Sequence, residues 1–305
     1  MACALKSRGL QKIPFIWFWP DGAHASAIMT HDVEGPVGRE FCGELMDLDD
    51  SFGIKSAFQV VPDGPRGTSQ ELPDRLRSRD FEVNLHDLNH DGRLFQSRQQ
   101  FLQRVKEINR YARELGCQGF RSGSMYREQS WFDAFEFDYD MSVPNVAHLE
   151  PQRGGCCTVM PYFVGKILEL PVTMTQDYSL FHILGDYSIG LWRQQMELIL
   201  SSNGMISVIT HPDYLIETRA RGVYRELLAE LFLWRKERQL WITLPGEVNR
   251  WWRNRNLMTM VPEGSSWRIE GPDSHRATVA FAKLDGNRIV YELDARAAQS
   301  ERRPS

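Results

Sequence analysis

Phe81-Glu82-Val83-Asn84-Leu85-His86-Asp87-Leu88-Asn89-His90 is the stretch on which the reading of this chain turns. Phe81–Leu85 has the apolar, alternating character of a strand, and two histidines four residues apart follow directly. If the chain turns helical after the strand, His86 and His90 share one face about one turn apart, and two imidazoles so placed can grip one divalent metal. Such a spacing also arises in unrelated chains, so its meaning depends on a third, acidic ligand and on what the other strands end in.

Seven more strand-like runs flank it: Ala27–Thr30, Ser56–Val61, Gln118–Arg121, Tyr139–Val143, Lys166–Val172, Met205–Thr210 and Leu240–Leu244. Helical patterns fall between them, most clearly Arg98–Leu115, closed by Gly116, and Thr218–Arg238. Strands alternating with helices predict an α/β chain with a parallel sheet. Pro144–Tyr162 breaks the rhythm and is expected to be an ordered lid facing the substrate. After about Met260 the pattern becomes β, with a tight turn at Asp285-Gly286-Asn287. The boundaries drawn are an N-terminal extension (1–26), a barrel (27–258), a small β appendage (259–295) and a disordered tail (296–305).

The 305 residues are 42% hydrophobic and 25% charged with net charge -4, an ordinary globular composition that gives no sign of nucleic-acid binding. The five cysteines (Cys3, Cys42, Cys117, Cys156, Cys157) contain no Cys-x-x-Cys pair and read as reduced thiols. The apolar run Ile13–Pro20 is too short to span a bilayer, lacks a signal-type cleavage site and is expected to be buried. The expectation is a soluble, cytoplasmic protein without a transmembrane segment, with homo-oligomers left open.

Chemistry concentrates where strands end. The first runs into His31-Asp32-Val33-Glu34, whose two acids, two residues apart, point to one side. The fourth ends in Phe120-Arg121-Ser122-Gly123-Ser124-Met125-Tyr126, where Arg121 can hold a carboxylate with two prongs and small residues let backbone N–H groups approach a ligand oxygen. Met205–Thr210 ends in His211, a ready proton donor. In barrels of alternating strands and helices, enzyme sites collect on this rim.

Together these segments closely resemble the polysaccharide deacetylase (NodB-homology) family over roughly Ala27 to Leu244. The resemblance implies a distorted (β/α) barrel of seven or eight strands and one divalent metal, zinc foremost, with cobalt, nickel or iron as alternatives. His86 and His90 become metal ligands together with one acid. The family pattern Thr-Phe-Asp-Asp-Gly is here Thr30-His31-Asp32-Val33-Glu34, so Asp32 aligns with the general base and Glu34 takes the ligand role, the reverse being the alternative. Arg121 holds the base, His211 is the acid supported by Asp177, and Tyr126, with Gly123 and Ser124, lines the substrate and oxyanion position. His148 and His182 match no motif. The implied activity removes an N-acyl group, N-acetyl above all, from an amino sugar in a glycan precursor, sugar nucleotide or glycoconjugate. The alternatives are hydrolysis of a non-sugar linear or cyclic amide or imide, and a non-catalytic carbohydrate-binding relative.

Overall fold

Apolar strands satisfy their buried backbone only by pairing with one another, and the chain is organised around that requirement. The computed structural model describes residues 2–62, 70–145, 155–264 and 266–294. The chain opens with α1 (Ala2–Ser7) and β1 (Ile13–Ile16). It continues through β2 (Ala25–Val33), α2 (Pro36–Ser51), β3 (Ala57–Val60), α3 (Glu71–Arg77), β4 (Glu82–His86) and α4 (Arg98–Leu115). Next come β5 (Gly119–Arg121), β6 (Tyr139–Asp140), β7 (Tyr162–Val164), β8 (Ile167–Glu169), α5 (Gly190–Ser201) and β9 (Met205–Thr210). Then follow α6 (Pro212–Leu215), α7 (Thr218–Glu237), β10 (Leu240–Ile242), α8 (Pro245–Leu257), β11 (Thr259–Glu263), β12 (Ser266–Glu270), β13 (Val279–Asp285) and β14 (Arg288–Leu293). These elements form two units, one of Ala25–Asn249 and one of the residues up to His24 with those from Arg250 onward.

In the larger unit the strand order is β10-β2-β3-β4-β5-β6-β8-β7, with β9 on the other side of β2. Every pairing is parallel except β7 with β8. The eight parallel strands curl into a half-barrel, and each of the eight strand runs read from the sequence overlaps one of them, several reaching one to three residues past its end. Alternation along β2 explains the packing: Ala25, Ala27, Met29 and Val33 join the main apolar core with Phe58, Leu85, Phe120 and Leu227, and Ser26, Ile28, Thr30 and Asp32 take the opposite face. α4 shows how local sequence sets a helix. Ser97 caps its start by accepting from Gln100 N (3.2 Å), and Phe101, Val105, Ile108 and Ala112 are buried along one face. Gly116 ends it in the left-handed conformation (φ 61°) that glycine adopts most easily.

The smaller unit joins two segments that the sequence boundaries treat separately. β1, from the N-terminal extension, pairs antiparallel with β13, and β14 completes a three-stranded sheet. Phe15 and Trp17 pack there with Ala280 and Ala282. The apolar run 13–20 is thus a buried edge: Trp19 is 0% exposed, and Trp251 Nε1–H donates to Phe18 O (2.8 Å). β13 and β14 are joined through Gly286 and Asn287, with Gly286 at φ 58°. Of the expected lid, residues 146–154, which include His148, lie outside the described residues, as does the tail 296–305. Asn145 and Cys156 form a parallel bridge at the lid's base. No helix among the described residues is long and apolar enough to cross a membrane.

Candidate metal centre and active site

β4 ends on His86, and the chain does not turn helical there. Asp87 and His90 both take left-handed backbone (φ 56° and 55°), so the two imidazoles meet across a turn, their ring centroids 4.8 Å apart. The reason lies in Asp87, a short acid that tolerates this conformation and bonds locally. Its Oδ1 accepts from Leu88 N (2.7 Å) and its Oδ2 from Gly123 N (3.2 Å), which ties the turn to the loop after β5. That closeness requires glycine at 123: a Cβ there would stand 2.6 Å from Asp87 Oδ2 and 3.0 Å from His90 Cδ2.

Glu34 follows β2 immediately and enters the same space. Its Oε1 lies 3.0 Å from His90 Nε2, 3.5 Å from His86 Nε2 and 3.5 Å from His211 Nε2. Burial works against the charged form of Glu34, but contacts with His211, His86 and His90 outweigh it and hold the carboxyl far below its usual range. Ligand-capable atoms of Glu34, His86 and His90 all lie within 4.8 Å of one another.

These residues fit a metal. His86 Nδ1 lies 3.1 Å from Arg121 O. A carbonyl only accepts, so this nitrogen carries the proton and Nε2 presents its lone pair. The Nε2 atoms of His86 and His90 are buried, and neither has a partner in hydrogen-bonding geometry. Buried polar atoms left so are costly, and a cation shared with a carboxylate would satisfy both. Two imidazoles and one carboxylate suit a divalent ion such as zinc.

Asp32 is held quite differently. Arg121 Nη1 donates to Asp32 Oδ1 (2.7 Å) and to Thr30 Oγ1 (2.7 Å), while Arg121 Nε donates to Met141 O (3.0 Å). The grip on Asp32 is therefore one-pronged, not the two-pronged clamp expected: only Nη1 reaches it, and Nη2 meets no partner among the described residues. Thr30 in turn donates to Val208 O (2.6 Å), which anchors the group on β9. Burial alone would raise the Asp32 pKa; Arg121, His86 and His211 together hold it below the usual value. Asp32 Oδ2 stands 3.8 Å from His86 Nε2.

His211 is the first residue after β9. Its Nδ1–H donates to Asp177 Oδ1 (2.7 Å) and its backbone N–H to Asp177 Oδ2 (2.6 Å). Burial pulls this imidazole's pKa down, but Asp177, Glu34 and Asp32 push it well above its ordinary value. Asp32, Glu34, His86, His90, Arg121, His211 and Asp177 thus come together at the C-terminal ends of the parallel strands.

The loop after β5 departs from expectation. The Gly123 N–H is taken by Asp87, and the Tyr126 N–H donates to Gly123 O (3.3 Å). The Asp87 side chain has used one group and a backbone turn the other, so neither is free to meet a substrate oxygen as expected. Ser124 takes left-handed backbone (φ 54°), and Tyr126 is 60% exposed beside Gly92. Sequence reasoning missed Thr30, Asp87 and Tyr214, the last 4.8 Å ring to ring from His211. Only Thr30 carried a usable signal, its two-residue spacing from Asp32.

No family model matches the sequence, and no curated protein matches it. Solved structures do match. A protein assigned as a polysaccharide deacetylase from Mycobacterium smegmatis aligns with TM-score 0.64 at 17% identity, covering 82% of this chain and 98% of that one. A polysaccharide deacetylase assignment from Pseudomonas aeruginosa PAO1 gives 0.58 at 12% identity, over 77% and 93%. The PuuE allantoinase gives 0.59 at 13% identity, over 77% and 92%. With its curled sheet of eight parallel strands, this chain has the fold of the polysaccharide deacetylases.

Proposed function

We propose that this chain is a metal-dependent hydrolase that removes an N-acyl group, N-acetyl foremost, from an amino sugar. One observation carries the reading: a Glu34–His86–His90 cluster faces both an Arg121-held carboxylate and an Asp177-held imidazole. Glu34, His86 and His90 would hold the metal, which when bound polarises the amide carbonyl and lowers the pKa of water. Asp32, kept ionised by Arg121, takes the proton from the attacking water. His211, kept protonated by Asp177 and with Nε2 turned into the site, gives its proton to the departing nitrogen. The division of labour between the two acids follows from their surroundings. Glu34 sits among three imidazole nitrogens, whereas Asp32 is committed to a guanidinium.

A second reading has support in the allantoinase likeness: the same residues could open a cyclic ureide. Acetate release from N-acetylglucosamine and ring opening of allantoin, assayed side by side on zinc-loaded protein, separate the two. Metal content of His86→Ala tests the ligand assignment, and retention of a full equivalent would end it. Loss of metal from Asp32→Asn with retention in Glu34→Gln would reverse the roles of the two acids. A chain that binds metal but hydrolyses neither compound would favour the non-catalytic binding relative.

A further inference from the structure

Gln59, on β3, is 0% exposed, and neither Oε1 nor Nε2 of its amide has a hydrogen-bond partner among the described residues. Its neighbours along the strand, Phe58 and Val60, join the apolar core. Alternation therefore turns Gln59 to the inner face of the half-barrel, the face of Asp32. The pairing is in register, and Gln59 stands between Asp32 on β2 and Asn84 on β4. Neither neighbour takes up the amide. Asn84 Oδ1 accepts from Gly119 N (2.8 Å) and Tyr139 (3.0 Å), and its Nδ2 donates to Glu82 Oε1 (2.7 Å). Asp32 Oδ1 is held by Arg121 Nη1 (2.7 Å). Arg121 shows the same pattern as Gln59. Of its five N–H groups, those on Nε and Nη1 serve Met141, Thr30 and Asp32, while Nη2, also buried, has no partner among the described residues.

Buried polar atoms without partners are costly, and native folds keep few of them. Three fall here, on the two side chains that flank the carboxylate used as a base. Had Gln59 Oε1 come within reach of Arg121 Nη2, the two would have paired directly, so whatever joins them spans a space between. It must donate to the amide oxygen, accept from the guanidinium and be small enough to be enclosed. Arg121 repels a cation, and the Gln59 oxygen and Asp32 repel an anion. Water meets each requirement, and about three hydrogen bonds is the usual complement of a buried water. Such a water also braces Arg121. Nη1 alone reaches Asp32, so the tilt of the guanidinium plane decides where that carboxylate sits, and a bond at Nη2 fixes the tilt.

We propose that Gln59 and Arg121 Nη2 hold one buried water, and that Gln59 is thereby a positioning residue for Asp32. The water site stands on the geometry alone, whereas the positioning role rests on the hydrolase reading above. The test compares wild type with Gln59→Met, which is close in volume and carries no polar side-chain group. Both are crystallised zinc-loaded at a resolution that shows waters, and both are assayed on whichever of N-acetylglucosamine and allantoin the wild type hydrolyses. Wild type is expected to show a water within hydrogen-bonding distance of Gln59 and Arg121 Nη2. Gln59→Met should lose that water and lengthen the contact between Arg121 and Asp32. Its kcat should fall about tenfold, the lower end of what an outer partner supplies, with KM, metal content and melting temperature held. A Gln59 amide bonded directly to protein, or no density between it and Arg121, overturns the water site. An Arg121 that stays in place in Gln59→Met, or a kcat that does not fall, overturns the positioning role, and a lowered melting temperature with full kcat makes Gln59 a packing residue only. If wild type hydrolyses neither compound, the hydrolase reading falls, and the wild-type crystal by itself upholds or overturns the water site.

Discussion

Two histidine–aspartate pairs take their histidines from the adjoining strands β2 and β9, one within β2 and one just past the end of β9, and they do opposite work. His31, on β2, has Nε2 3.0 Å from Asp49 and Nδ1 2.8 Å from Thr210 Oγ1, and Asp49 also accepts from Tyr224 (2.7 Å) and Ser56 (2.6 Å). His31 and Asp49 are fully buried, and both nitrogens of the ring are engaged. His211, after β9, binds Asp177 through one nitrogen and turns the other toward Glu34. The difference between a structural and a chemical imidazole is therefore not the aspartate partner. It is whether the second nitrogen is already used. β2 itself makes the distinction, since His31 and Asp32 are neighbours and point to opposite faces of the sheet.

The strongest way to break this comparison is to remove the chemical ring. His211→Asn should lower hydrolysis about 10²–10⁴-fold, the usual contribution of a general acid, with metal content unchanged. A loss below tenfold would show that His211 is merely packed. Removing the structural ring should instead be read in stability. His31→Phe removes one of the three partners of the buried Asp49 carboxyl, and a buried polar group left short of a partner costs about 1–3 kcal/mol. At roughly 2–4 °C per kcal/mol for a unit of this size, thermal unfolding should show a clear drop, while folded molecules keep near-normal turnover. A variant of unchanged melting temperature but lost activity would erase the distinction.

Asp177→Asn sharpens the pair from the other side. It turns one of the two accepting oxygens into a donor, so the three N–H groups that Asp177 holds, from Tyr178 and from the His211 backbone and ring, can no longer all be satisfied; an outer partner of this kind typically accounts for about 10–100-fold in activity. Its pH–rate profile should shift as well, since Asp177 helps keep His211 protonated. An unaltered profile would reduce Asp177 to a helix cap.

The smallest effect belongs to a third pair, this time of like charge. Asp140 on β6 and Glu169 on β8 are register partners and both are buried. Burial raises both pKa values, and the neighbouring Asp140 raises that of Glu169 further. Acids with raised pKa keep protons when folded that the unfolded chain releases near pH ~4. Folding then takes up protons, so this contribution is most favourable below that range and is lost as pH rises through the folded values. Melting temperatures measured from pH 5 to 8 should therefore fall less in Glu169→Gln than in wild type. Equal slopes would mean that the pair ionises freely.

Much of the fold was legible because parallel strands announce themselves locally. Ala27–Thr30 and Met205–Thr210 are apolar on both faces, and the helices between strands repeat at their own period. The site was legible for a related reason: a half-barrel gathers strand ends on one rim, so Asp32, His86, Arg121 and His211 could be grouped from position alone. The turn at Asp87–His90 was not, because a left-handed Asp fixed by Leu88 N and Gly123 N depends on a loop distant in sequence. The same holds for the engaged N–H groups of Gly123 and Tyr126.

The sequence by itself determined the alternation of elements, the strand-end motifs and the pool of candidate ligands. These are properties of period and of residue type, which act over a few residues. Only the tertiary structure decided that Glu34 stands among the imidazoles while Arg121 claims Asp32. It alone turned His31 away from the site and seated Tyr214 beside His211. Each of these depends on which nitrogen or carboxylate oxygen finds its partner first among groups from other strands, and hydrogen-bond geometry settles that only after the chain has folded.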